Sequence, residues 1–180
     1  MNSALPQSTY HSALAIALQA AQAAGELLRA EFHRPGGPRG SGAHALIDEE
    51  AEALIRQQLR AAFPAYGVRG EELRDQDCLP QDAEQHTWLI DPNDGTASFL
   101  KGYRGSAVSI ALLRSGIPIL GVVYAFSAPQ DGGDLFAWAE GCGPLTRNGE
   151  PIQRVWATEL RHDHTIILSQ AGDRHSQANA

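Results

Sequence analysis

The chain has 180 residues, 43% hydrophobic and 19% charged, the make-up of one folded domain rather than a disordered or collagen-like polymer. Lys and Arg total 14 against 21 Asp and Glu. The net charge of -7 at pH 7 argues against nucleic-acid or anionic-membrane binding and leaves carboxylates for a divalent cation.

Residues 1–8 read as a frayed terminus. The apolar run Ala13–Leu18 is too short to span a bilayer and lacks the basic prelude of a signal peptide. From Thr9 to His33, Leu14, Leu18, Ala21, Gly25, Leu28 and Phe32 recur at three- and four-residue steps, which predicts a helix. Two prolines and four glycines in Arg34–Gly42 end it. A second helix is predicted from Ile47 or Asp48 to Ala62. Its inward face is Ala51, Leu54, Ile55, Leu59 and Ala62, and Phe63-Pro64 closes it.

The period then becomes extended. Gly67–Gly70 reads as a short strand ending at Glu71-Glu72, Leu73–Gln85 as a polar loop, and Trp88-Leu89-Ile90 as an apolar run that stops at Asp91-Pro92. Ala107–Leu113, Ile117–Phe126 and Leu135–Glu140 predict consecutive antiparallel strands. Asn148-Gly149 predicts a hairpin between Leu145 and Ile152, and Thr165–Leu168 a last strand. Two helices followed by a run of strands is an α+β pattern, with helices on an antiparallel sheet.

Chemistry concentrates in Asp91-Pro92-Asn93-Asp94-Gly95-Thr96. A carboxylate ending a strand and another in the following turn can converge on Mg2+, which takes oxygen ligands. The Pro92 or Asn93 carbonyl can add another oxygen, and a short helix starting at Gly95-Thr96 would turn free N–H groups toward a phosphate. Glu71, at the end of the earlier strand, can face the same ion. The histidines show no zinc spacing, His162 and His164 included. Ser106 and Ser109 read as packing residues, and Trp138 and Trp156 as buried against the sheet. Cys78 and Cys142 form no CxxC pair, which excludes a disulfide scaffold and fits a reducing cytoplasm.

Gly70-Glu71-Glu72, Trp88–Phe99 (WLIDPNDGTASF) and Ala107–Tyr124 resemble the inositol monophosphatase family of Mg2+-dependent, lithium-sensitive phosphatases. The resemblance implies a layered αβαβα sugar-phosphatase-type fold, of which this chain is expected to form a single N-terminal lobe over residues 1–180, with the second lobe and its Trp-Asp metal ligand absent. It further implies that Glu71, Asp91 and the Asn93 carbonyl hold one Mg2+, and that Asp91 and Asp94 hold a second. Asp94, Gly95 and Thr96 would bind substrate, the latter two offering N–H groups to the phosphate. The Thr96 hydroxyl, oriented by Asp48, would help activate water. Three family positions differ: Ala45 stands where a threonine is usual, Asn93 where an apolar residue is more usual, and Arg39 is the nearest basic residue to a usual lysine. The expected function is phosphomonoester hydrolysis of a small polyol or sugar phosphate such as inositol 1-phosphate. The alternatives are a bisphosphate nucleotidase, a histidinol phosphatase, or a non-catalytic lobe that binds a partner or pairs as a homodimer.

Overall fold

The computed structural model describes residues 8–42, 44–153 and 159. In chain order these form α1 (Ser8–Phe32), β1 (Gly40–Ser41), β2 (His44–Ala45), α2 (Leu46–Ala62), β3 (Gly67–Gly70), a 3-10 turn (Arg74–Gln76), β4 (His86–Asp94), α3 (Thr96–Leu100), β5 (Ala107–Arg114), β6 (Ile117–Ala125), β7 (Asp134–Ala139), β8 (Thr146–Arg147) and β9 (Glu150–Pro151). No helix among the described residues is long and apolar enough to cross a membrane. Trp156, His162, His164, His175 and the strand expected at Thr165–Leu168 lie outside the described residues.

The main sheet has the order β3-β4-β5-β6-β7-β8-β9, and α1 and α2 pack together on one face of it. From β4 onward every pair is antiparallel, as expected. The first pair corrects the all-antiparallel expectation: β3 runs parallel to β4, with Gly67 opposite Thr87 and Gly70 opposite Ile90. Parallel neighbours need a crossover of a dozen or more residues, and residues 71–85 supply it.

Alternation along the strands sorts the side chains. Trp88, Ile90, Ile110, Leu112, Leu120 and Val122 are buried beneath the helices, whereas Leu89 and Val123 lie exposed on the opposite face. Trp138, expected in the core, belongs to that outer face and is 37% exposed, because Ala137 and Ala139 on either side of it take the inward positions. β4 also outruns the expected stop at Asp91-Pro92. It continues to Asp94 through a register shift between Asp91 and Asp94, where a proline without an N–H costs no ladder bond. The Asn148-Gly149 hairpin forms as expected, both residues having positive φ.

Helix α1 meets the sheet through small residues and Leu28 rather than through Leu14 and Leu18. Ala13, Ala17, Ala20, Ala21 and Ala24 are fully buried, while Leu14 and Leu18 are half-buried at the flanks. At Gly25 an added Cβ would overlap the Tyr124 ring, whose hydroxyl accepts a 2.6 Å hydrogen bond from Arg29 Nη2. Alanine in a helix is favoured over glycine by about 1 kcal/mol, but overpacking costs about 1–3 kcal/mol. Gly25→Ala is therefore expected to lower the thermal midpoint. A midpoint equal to or above wild type would show that the ring yields freely.

Candidate functional site

The end of β4 carries the motif into the site. Ile90 is buried under the helices, so Asp91 points to the outer face, where it shares an open cleft of about 680 Å³ with Glu71, Leu89, Ser109 and Ala111. Past the register shift, Gly95 adopts a left-handed conformation at φ 97°, and a Cβ there would come 3.1 Å from the Gly105 carbonyl oxygen. That turn lets α3 begin at Thr96.

Asp48, in the first turn of α2, ties this turn to the helix layer. It is fully buried, and its Oδ1 accepts from Asn93 Nδ2 at 2.9 Å. Its Oδ2 lies 3.3 Å from the Ala45 N–H, which it caps, and 3.2 Å from the Thr96 hydroxyl. Thr96 Oγ1 is also 2.9 Å from the Asn93 carbonyl oxygen, so its single proton has two acceptors and its lone pairs remain open to a water. Burial pushes the Asp48 carboxyl above its ordinary value, against the lowering effect of these hydrogen bonds.

Glu71 follows β3, its N–H donating to the Ile90 carbonyl at 3.2 Å. The bend after it rests on two residues that periodicity did not single out. Glu52, with no exposed surface, accepts the Glu72 N–H at 2.8 Å and the Leu73 N–H at 3.1 Å. Arg56, also buried, donates to Glu52 at 2.7 Å and to Asp77 at 2.6 Å. A Cβ at Gly70 would overlap the Glu52 carboxylate, so only glycine lets the strand pass this close. One signal was available in the sequence: Asp48, Glu52 and Arg56 recur every four residues, a polar stripe along the buried face of α2.

Around Asp91 like charges crowd, although Arg69 and Arg74 also line the cleft. The Asp91 carboxyl is pushed up to about 7, first by burial, then by Glu71 and more weakly by Asp94, while the Asn93 N–H opposes the rise. That N–H donates to Asp91 Oδ1 at 3.1 Å. Glu72 is raised by burial and by Asp48, with His44 Nδ1 3.4 Å from its Oε2.

The motif residues thus assemble as two adjoining sets: Glu71 beside Asp91, and Asp48 with Asn93 and Thr96. Asp94 is exposed and acts on Asp91 through its charge. Among the described residues no three His, Cys, Asp or Glu side chains close into a preformed metal cluster. The donor chemistry nonetheless fits Mg2+, which needs only one or two carboxylates beside water. The raised Asp91 carboxyl is crowded by Glu71 and the buried Asn93 Oδ1 has no partner, in a cleft that Arg69 and Arg74 also line. Arg39 faces elsewhere, its guanidinium paired with buried Glu31 through 2.9 and 2.8 Å contacts. Ser109 lines the cleft, while Ser106 is buried with its hydroxyl unpartnered.

A model of the inositol monophosphatase family matches residues 9–180. Inositol monophosphatase 1 of Solanum lycopersicum is 34% identical over 82% of this chain and 53% of its own length. The histidinol-phosphatase of Chlorobaculum parvum is 36% identical over 87% of this chain and 58% of its own length. Among solved structures, the inositol monophosphatase from Anabaena (Nostoc) sp. PCC 7120 superposes with a TM-score of 0.66 at 32% identity, over 84% of this chain and 52% of that one. The chain spans about half the length of the curated relatives it matches.

Proposed function

Since this chain belongs to the inositol monophosphatase family, we propose that it is a Mg2+-dependent phosphomonoesterase acting on a small polyol or sugar phosphate such as inositol 1-phosphate. The observation that carries this is the meeting of Glu71 with Asp91 next to the Asp48–Thr96 pair. Glu71, Asp91, Asp94 and the Asn93 carbonyl are the oxygen donors for Mg2+. When bound, the metal supplies Lewis acidity and lowers the pKa of the attacking water.

The protein's own part is to place the attacking water and the phosphate. Asp48 holds the Thr96 hydroxyl from one side, so that Oγ1 accepts a hydrogen bond from a water in front of it and fixes that water's orientation. The Asn93 side chain, clamped to Asp48, keeps the turn rigid. The Gly95 and Thr96 N–H groups, at the N-terminal end of α3 and without helix partners, would meet the phosphate oxygens. A histidinol phosphate is the second candidate substrate, on the strength of the Chlorobaculum relative.

Phosphate release from inositol 1-phosphate, measured with and without Mg2+ beside Asp94→Asn, tests the proposal. Release that needs Mg2+ and disappears in Asp94→Asn is expected. Release indifferent to both overturns it.

A non-catalytic, self-associating role has one observation in its favour. Leu89, Val123 and Trp138 leave an apolar outer sheet face open among the described residues. Sedimentation of the purified chain tests this, and a monomer across micromolar concentrations would count against it.

A further inference from the structure

We propose that the buried pair Glu52 and Arg56, with the partly exposed Asp77, is a positioning device for Glu71, holding the bend that delivers its carboxylate to Asp91; this rests on the metal-binding role given to Glu71 above. The backbone is gripped on both sides of that residue. Upstream, Asp77 Oδ1 accepts the Gly70 N–H at 3.1 Å. Downstream, Glu52 accepts the N–H groups of Glu72 and Leu73. Arg56 closes the ring by bonding both carboxylates and the Gln76 carbonyl, the last at 3.1 Å.

Burying a carboxylate and a guanidinium is a poor way to stabilise a fold, because the dehydration of two ions offsets their attraction. An apolar pair would pack as well beneath α2 but could accept no amide. The charges therefore find their use in the bend they hold. Gly70 fits the same purpose, since it brings the backbone into contact with Glu52 one residue before Glu71. Groups that orient a ligand in this way typically cost about 10–100-fold in metal affinity when removed.

The test is a Mn2+ titration of the 180-residue chain followed by electron paramagnetic resonance, well below its thermal midpoint. Glu52→Gln keeps the reach but loses the charge and one acceptor. Glu52→Asp keeps the charge against Arg56 but falls a methylene short of the amides. Both, while folded by near-ultraviolet circular dichroism, are expected to bind Mn2+ at least about tenfold more weakly. Asp77→Ala, at a partly exposed side chain, is expected to fold and to weaken binding several-fold. Should the Glu52 variants fail to fold, Asp77→Ala decides. Folded variants that bind Mn2+ as tightly as wild type overturn this inference alone. A wild type that binds no Mn2+ overturns the metal role of Glu71 and this inference with it.

Discussion

Replacing Asp91 by asparagine is expected to raise the thermal midpoint of the metal-free protein at pH 8 while abolishing Mg2+-dependent phosphate release. Both effects have one cause. Burial and the neighbouring Glu71 and Asp94 push the Asp91 carboxyl up to about 7. An unfolded aspartate titrates near 3.9, so between about pH 4 and pH 7 the native state holds a proton that the unfolded state has released. Stability therefore falls as pH rises through that window and levels off above it. Asparagine carries no charge and removes the share of the fall that Asp91 causes. It also removes a carboxylate from the metal donors, a loss expected to exceed the roughly 100-fold reached by groups that only support a ligand. Thermal melts in chelator at several pH values measure the first effect. A wild-type midpoint that declines from pH 5 to pH 7 more steeply than the variant's is the expected pair of curves, since the raised Asp48 and Glu72 remain in both, and parallel curves would refute the account. Mg2+ should restore the wild type at pH 8 and leave the variant unmoved.

Arg56→Met is expected to be the most damaging change to the fold. The arginine is 2% exposed and donates to Glu52, Asp77 and the Gln76 carbonyl. Methionine fills similar space but leaves the fully buried Glu52 carboxylate without its counter-charge. Breaking a buried pair from one side typically costs about 3–5 kcal/mol. For a chain of this size about 2–4 °C accompanies each kcal/mol, so the midpoint should drop on the order of 10 °C. Glu52→Gln placed on top of Arg56→Met should recover part of the loss, since it removes the stranded charge. That recovery is a coupling measurable by a double-mutant cycle. A single-variant loss under about 1 kcal/mol would show that water reaches the site and solvates Glu52.

The two long helices were legible because amphipathic spacing and a Gly/Pro break are local signals. The same spacing placed Ala21, Gly25 and Leu28 correctly but misjudged Leu14 and Leu18, which lie at the flanks because close approach selects the alanines between them. Strands β5 to β7 were legible from β-branched runs. The direction of β3 was not, because whether neighbours run parallel depends on the path of residues 71–85 rather than on either strand's pattern. Trp138 was misplaced because a large aromatic reads as core, whereas its position in the alternation sends it outward. In the site, Asp91, Asn93, Asp94 and Thr96 are contiguous and could be grouped from the sequence. Glu52 and Arg56 share a four-residue step with Asp48, but that signal is weak, because an i, i+4 ion pair on a helix is ordinarily a solvated one. Only their burial and the amides of Glu72 and Leu73 give them a role.

The side chains of β4 alternate between two environments, and this makes the core a guardian of the chemistry. Trp88 and Ile90 are sealed under the helices while Leu89 and Asp91 look outward on the same strand. A slip of one residue in the pairing with β5 would expel the tryptophan into water and drive the carboxylate into oil at the same stroke. The free energy that keeps Trp88 inside therefore also sets the address of Asp91 to within one residue. A drift of β4 cannot misplace the reactive oxygen quietly: the whole sheet would protest first, as lost cooperativity in unfolding.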